Sequence, residues 1–336
     1  MLEKCNYPII QAPMAGGIST VALAAAVSKS GGLGFLAAGY KTAEALEKEI
    51  TAMGQTGMLY GVNLFVPTPK TDQEQEVNKF KALLEKDWDM ELEQPVWSDD
   101  EWEEKLALLK RYKVPVASFT FGCPDKEIIR ELQKQGTYII VTVTDANEAR
   151  LAQQAGADAV CLQGFEAGGH RASFENTDPA ETKPLIELLQ DVRKTVELPV
   201  IAAGGIMDGQ QIKELLQAGA AAVQLGTAFI CCEESGANPI YKRVLVEQQF
   251  TDTKLTRAFT GRLARGLEND FMNRYEAVAP AAYPTLHFLT QSIRKKALAS
   301  ENTQAMSMWA GQGFKRVRAL PVNELMQQLV QEADLS

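Results

Sequence analysis

The chain has 336 residues, 46% hydrophobic and 23% charged, enough for one large α/β barrel or two ordinary domains. Its 34 Lys and Arg against 43 Asp and Glu leave a formal charge of −9, which argues against a general nucleic-acid binder needing a basic face. The start, Met1-Leu2-Glu3-Lys4-Cys5, lacks the basic and apolar regions of a signal peptide, and no apolar run reaches membrane-spanning length. The five cysteines show no zinc or redox spacing, so a cytoplasmic protein without metal or membrane contact is expected.

From Pro8 to about Phe229, short apolar runs alternate with longer amphipathic stretches. The runs are Ile9–Ala12, Leu33–Leu36, Leu59–Leu64, Pro115–Phe119, Tyr138–Val143, Ala159–Leu162, Pro199–Ala203 and Ala222–Leu225. Without polar alternation, such runs suit parallel strands buried on both faces. Helix signals stand between them. Ser19 or Thr20 precedes Val21–Ser30, with Gly31-Gly32 as the stop; Asp145 precedes Ala146–Ala155, with Gly156 as the stop; Asp208 precedes Gln210–Ala218, with Gly219 as the stop. Eight strands each followed by a helix predict a (β/α)8 TIM barrel, with a doubly wound open sheet as the alternative. The likeness of Ala155–Gly164 to Ala218–Thr227, each a helix-stop glycine followed by Ala-Val-X-Leu, supports the barrel.

Two regions fall outside the repeat. Residues 67–100, Pro-rich at the start and acidic throughout, form an insertion after strand 3, expected to make short helices over one end of the barrel. After Cys232 the chain reads as mainly helical, through Asn238–Phe250, Phe288–Ala299 and Val322–Glu332. Residues 1–232 are therefore expected to form the barrel, and 233–336 a helical segment packed on it in the same domain.

Two glycine turns lie one βα unit apart, Gly204-Gly205 after the seventh strand and Gly226-Thr227 after the eighth. In barrels the loops after these strands commonly hold a phosphate, so a phosphate site is favoured over plain tight turns. No Walker lysine follows a glycine loop, and no GxGxxG follows the first strand. After the sixth strand comes Gln163-Gly164-Phe165-Glu166-Ala167-Gly168-Gly169-His170-Arg171. His170 is one of two histidines, and its place in a glycine-rich loop at the catalytic face of a barrel favours proton transfer over an ordinary loop role. His287, among apolar sequence neighbours, carries no such signal. Ala12-Pro13-Met14 after the first strand could make an apolar shelf for a planar ring, with Asn63 and Gln163 as amides for its polar edge; core packing and capping are equally open for these residues.

With these motifs in order, the chain resembles the nitronate monooxygenases, formerly called 2-nitropropane dioxygenases, of the class I kind. The resemblance rests on Gln11–Gly16, Gly61–Phe65, Ser118–Gly122, Glu166–His170, Ala203–Ile206, Gln224–Thr227 and Trp309–Gly313, spanning nearly the whole chain. It implies an FMN-dependent barrel that oxidises alkyl nitronates with O2, giving a carbonyl compound and nitrite. It further implies that Asn63, Gln163, Gly168, Gly205, and Gln224, Leu225, Gly226 and Thr227 bind FMN, with His170 as the base or as the group positioning the nitronate. The chain departs from the family at Arg171-Ala172, where a glycine often follows the arginine. A flavin enoyl-acyl-carrier-protein reductase of the same superfamily is the nearest competing reading, but such enzymes tend to carry an acidic residue at the position of Gln163 and lack the Trp309 motif. An NADH:quinone reductase and a non-catalytic flavin- or phosphate-binding protein stand behind it. The oligomeric state is left open, a homodimer included.

Overall fold

A computed structural model describes residues 2–70, 72–176 and 182–335 of the chain. Among the described residues eleven strands run in chain order: β1 (Ile9–Gln11), β2 (Gly34–Ala37), β3 (Tyr60–Phe65), β4 (Val116–Thr120), β5 (Tyr138–Val143), β6 (Ala159–Gln163), β7 (Gly169–His170), β8 (Val200–Ala203), β9 (Ala222–Leu225), β10 (Thr253–Thr256) and β11 (Ala264–Leu267). Eight of them form one parallel sheet in the order β1-β9-β8-β6-β5-β4-β3-β2. Its two edges meet where Gln11 N donates to Leu33 O at 2.9 Å and Leu33 N to Ile9 O at 3.0 Å, which closes the (β/α)8 barrel and removes the open-sheet alternative.

Fourteen helices are described: α1 (Val21–Lys29), α2 (Ala43–Thr56), α3 (Glu74–Trp88), α4 (Trp102–Tyr112), α5 (Lys126–Gln133), α6 (Ala146–Ala155), α7 (Leu185–Arg193), α8 (Gly209–Gln217), α9 (Thr227–Ile230), α10 (Pro239–Val246), α11 (Asp270–Tyr275), α12 (Thr285–Leu289), α13 (Gln291–Ala299) and α14 (Val322–Glu332). The side chains of Thr20, Asp145 and Asp208 cap α1, α6 and α8 by accepting from the amides of Leu23, Glu148 and Gln211, and Gly156 ends α6 in the left-handed region. These short-range signals work because a cap bonds to a donor two or three residues away.

The barrel interior is filled by Ile10, Leu33, Phe35, Val116, Ile140, Ala159, Cys161, Ile201, Ala203 and Ala222. β3 contributes Gly61 to this layer, because a Cβ there would stand 2.2 Å from the Phe35 ring. A second apolar cluster joins barrel strands and helices to α14 through Leu325, Met326 and Leu329.

The insertion differs from expectation. Among the described residues it forms a single fifteen-residue helix, α3, because Val77, Phe80 and Leu84 make one continuous buried stripe. That stripe packs with C-terminal residues including Tyr275 and Phe271, not across a barrel end alone. The C-terminal part is also less helical than expected. Residues 253–267 form an antiparallel hairpin, β10–β11, that pairs with β7 in a second three-stranded sheet. The expected helices are shorter: α10 stops at Val246, and the stretch before Ala299 splits into α12 and α13 at Thr290.

Candidate active site

The cavity at the C-terminal end of the barrel strands has a volume of about 550 Å³, in the range of small-molecule sites. Gln11, fully buried at the end of β1, anchors the turn that lines it. Gln11 Nε2 donates to Ser19 Oγ at 2.9 Å, and its Oε1 accepts from Phe35 N at 2.9 Å. Ser19 Oγ in turn accepts from Met14 N at 2.8 Å, fixing the Ala12-Pro13-Met14 turn against the cavity. Asn63, 2% exposed at the middle of β3, spends its Nδ2 on Ser118 O, Ser118 Oγ and Thr120 Oγ1 at 2.9–3.2 Å. The carbonyl of Ser118 can only accept, so the amide orientation is settled and Oδ1 is the atom left for a ligand.

On the opposite wall, Gly204 and Gly205 take φ of +135° and +68°, conformations only glycine adopts cheaply. With Gly226 and Thr227 they line the cavity, and the amides of Gly204, Gly205 and Gly226 make no turn or loop hydrogen bond among the described residues. Gln224 lines the same wall. Thr227 Oγ1 accepts from Gly311 N at 3.0 Å, which ties this wall to the Trp309–Gly313 segment.

His170 is held from three sides. β7 pairs with β11 through Ala264, and Arg171 N donates to Leu263 O at 2.7 Å. Gln163 Nε2 donates to His170 O at 2.8 Å, while its Oε1 accepts from Ala172 N at 2.9 Å. The methyl of Ala172 is fully buried, so alanine fits where the family often has glycine. Gly168 lies so close to the 309–313 segment that a Cβ would stand 2.5 Å from Ala310 C and Gly311 N. The ring is boxed by Phe121, Tyr283 and Trp309 at centroid distances of 6.0, 5.8 and 5.4 Å, and its Nε2 lies 3.0 Å from Thr260 Oγ1. Withdrawal from bulk water, then Arg262 and Arg294, push the His170 imidazole down to about 3, so it is neutral at ordinary pH.

Several residues in or behind the cavity wall carried no local sequence signal. Arg262, 1% exposed, lies 4.2 Å over the Phe121 ring and donates from Nε to Arg171 O at 3.0 Å. Arg294 donates to His287 O at 2.6 Å and to Thr290 Oγ1 at 3.2 Å. Neither guanidinium forms an ion pair with a carboxylate among the described residues, and desolvation lowers both to about 10. His287, dismissed on its apolar neighbours, lines the cavity, stacks on Tyr40 at 3.8 Å, and is held well below the usual histidine range by burial, Arg294 and His170. Tyr40 follows Gly39, where a Cβ would meet the Phe65 ring at 2.1 Å, and its hydroxyl bonds that of Tyr283 at 3.0 Å. A tyrosine just after the second barrel strand could have been found by the rule that strand-end loops build the site.

The structure thus gathers Ala12, Pro13, Met14, Asn63, Gln163, Gly168, His170, Gly204, Gly205, Gln224, Gly226 and Thr227 around one cavity. Leu225 is the exception. Its side chain turns into the apolar core and only its carbonyl, which accepts from Ala12 N at 2.8 Å, faces the β1 turn, as strand alternation requires.

A closed barrel whose C-terminal mouth holds a cavity lined by His170 and Arg294 defines a barrel enzyme, and the comparisons make it an oxidoreductase. The family model for nitronate monooxygenase matches residues 1–332. A probable nitronate monooxygenase of Staphylococcus haemolyticus is 42% identical, covering 97% of this chain and 94% of its own, and one of Bacillus subtilis is 39% identical over 97% and 95%. A nitroalkane oxidase from Streptomyces ansochromogenes superposes with a TM-score of 0.95 at 46% identity, covering 99% and 97% of the two chains. FabK from Thermotoga maritima superposes at 0.74 with 28% identity, covering 99% and 94%. The chain belongs to the nitronate monooxygenase family. No described helix is long and apolar enough to cross a membrane.

Proposed function

We propose that this protein oxidises alkyl nitronates with O2 to a carbonyl compound and nitrite, using FMN held in the cavity. The residues present fit that group. Ala12-Pro13-Met14 offers an apolar shelf, Asn63 Oδ1 and the Gln224 amide offer polar contacts for the ring edge, and the glycine amides of 204–205 and 226 suit a phosphate. The side chain of Leu225 has no part in this. Gln163, with both amide atoms already engaged, holds the His170 strand and has one N–H left for the ring. FMN bound there would supply the electron acceptor for the substrate and the route to O2.

The observation that carries the reading is the Arg294 guanidinium lining the cavity with a neutral His170, while the Arg262 guanidinium lies buried behind the Phe121 ring. Among the described residues neither cation has a carboxylate ion-pair partner, and cations so withdrawn from water favour an anion beside them. A nitronate is such an anion. For a neutral nitroalkane, His170 accepts the α-proton while the negative charge moves onto the nitro oxygens, so the imidazolium forms beside an anion and not alone. The acceptor at His170 O and the donor at Ala172 N need an amide at position 163, which disfavours the acidic residue typical of the competing enoyl reductases.

His170→Asn should retain FMN and lose about 100-fold or more in turnover of neutral nitroethane. Unchanged nitroethane turnover in that variant would remove His170 from the mechanism.

A further inference from the structure

The turn between β10 and β11 brings Thr260 to His170, and its hydrogen bonds decide which ring nitrogen carries the proton. Thr260 is 2% exposed, and its Oγ1 lies 3.0 Å from His170 Nε2 and 3.2 Å from Arg262 O. A carbonyl oxygen only accepts, so the single hydroxyl proton of Thr260 goes to Arg262 O. Both contacts are then satisfied only if His170 Nε2 holds the proton and donates to Thr260 Oγ1. With the proton on Nδ1 instead, the hydroxyl could serve one acceptor and would leave the other unmet in a shielded site.

The geometry is rigid enough for this to matter. Arg171 N donates to Leu263 O at 2.7 Å, and Gly261, at φ +80°, lies so close to Ala282 that any Cβ would stand 2.6 Å from its carbonyl carbon. Asn176 Nδ2 pins the same turn through Gly261 O at 2.9 Å. His170 Nδ1, in contrast, has no protein partner among the described residues and is not sealed in the core.

We infer that Thr260 is a positioning residue that fixes His170 as the Nε2–H tautomer, leaving the Nδ1 lone pair as the atom that takes the substrate proton. The inference rests on the proposed role of His170 as base. In the step, the substrate Cα–H bond breaks, its electron pair passes to the nitro group to give the nitronate, and the proton forms the Nδ1–H bond. The resulting imidazolium keeps its Nε2–H on Thr260. Arg262, Arg294, His287 and Tyr283 are the charged or titratable groups that face the ring, and none of them is an acceptor bonded to either ring nitrogen.

The test uses the FMN-loaded protein with 15N-labelled histidine, whose two histidines give a spectrum simple enough to assign with His287→Asn. Near neutral pH the proton is expected on Nε2 of His170, and Thr260→Val should yield a tautomer mixture. Turnover of neutral nitroethane should fall about 10- to 100-fold in Thr260→Val, with little loss on preformed ethylnitronate and recovery in Thr260→Ser. A proton on Nδ1 in the unaltered protein overturns the inference, as does an equal loss on both substrates or no loss on either. If Thr260→Val is silent while His170→Asn is slow on nitroethane, only the tautomer assignment fails. If His170→Asn is itself unaffected, the base reading fails with it.

Discussion

Gln163 and His170 are joined side chain to backbone: the Gln163 amide donates to the His170 carbonyl at 2.8 Å and accepts from the amide of Ala172 at 2.9 Å. One side chain thus holds both ends of the segment that presents the imidazole. A carboxylate at 163 could still accept from Ala172 but would face the His170 carbonyl with no proton to share. Gln163→Glu should therefore lose about 10-fold or more in nitroethane turnover per bound FMN, the scale of a misplaced catalytic group. Flavin content and steady-state turnover on one preparation check this, and full activity would show that the pairing is dispensable.

The long insertion reaches the site through Asp100. Its Oδ1 accepts from Tyr40 N at 2.9 Å, and its Oδ2 pairs at 2.8 Å with Lys105, which is 1% exposed and also donates to Ala38 O. Asp100→Asn leaves that lysine charged, buried and without its carboxylate. The cost should be about 3 kcal/mol, the low end for breaking such a pair, because Asp100 is partly open to water. Denaturant unfolding measures it, and a loss under about 0.5 kcal/mol, the scale of an exposed pair, would contradict the assignment.

Gly168 is the contact that seats the Trp309–Gly313 segment on the histidine loop. A Cβ at 168 would meet backbone atoms at 2.5 Å, which no side-chain rotation relieves. Gly168→Ala should cost about 1–3 kcal/mol as overpacking and lower FMN retention by moving Gly311 off Thr227. Retention equal to the parent after gel filtration would count against this coupling.

The two histidines also set a pH dependence. Both are held below their unfolded value of about 6.5, His170 at about 3, first by burial and then by Arg262 and Arg294 for His170 and by Arg294 for His287. Between those limits the unfolded chain takes up protons that the fold refuses. Stability should therefore be flat above pH 7 and fall as pH drops through about 6.5. Denaturant midpoints between pH 7.5 and about 5.5 should show a smaller slope in His170→Asn and His287→Asn than in the parent. An unchanged slope in both variants would mean the histidines protonate freely in the fold.

The barrel was legible because its signals are local. Tyr138–Val143 and Ala222–Leu225 read as buried strands with the bounds they have, and Asp145 and Asp208 announce helices they cap. The glycine turns and His170 were legible because they sit at strand ends of known order. The rest of the site was not, because Tyr40, Arg262, Tyr283, His287 and Arg294 meet only once the C-terminal segment folds over the barrel mouth. His287 was misread because its sequence neighbours Leu286 and Leu289 face the core while the imidazole faces the cavity. The β10–β11 hairpin escaped because Thr253–Thr256 and Ala264–Leu267 are short and carry Gly266; pairing with Gly169 and His170 makes them strands.

Oxidation of a nitronate on bound FMN is tested most directly by mixing the FMN-loaded protein with ethylnitronate without O2 and following the visible absorbance of the flavin. Fast bleaching by the nitronate, reversed with nitrite release when O2 is admitted, is the expected result, with little bleaching by NADH in the presence of an enoyl thioester or a quinone. Fast bleaching by NADH in a protein inert toward ethylnitronate would contradict it and make the chain a reductase.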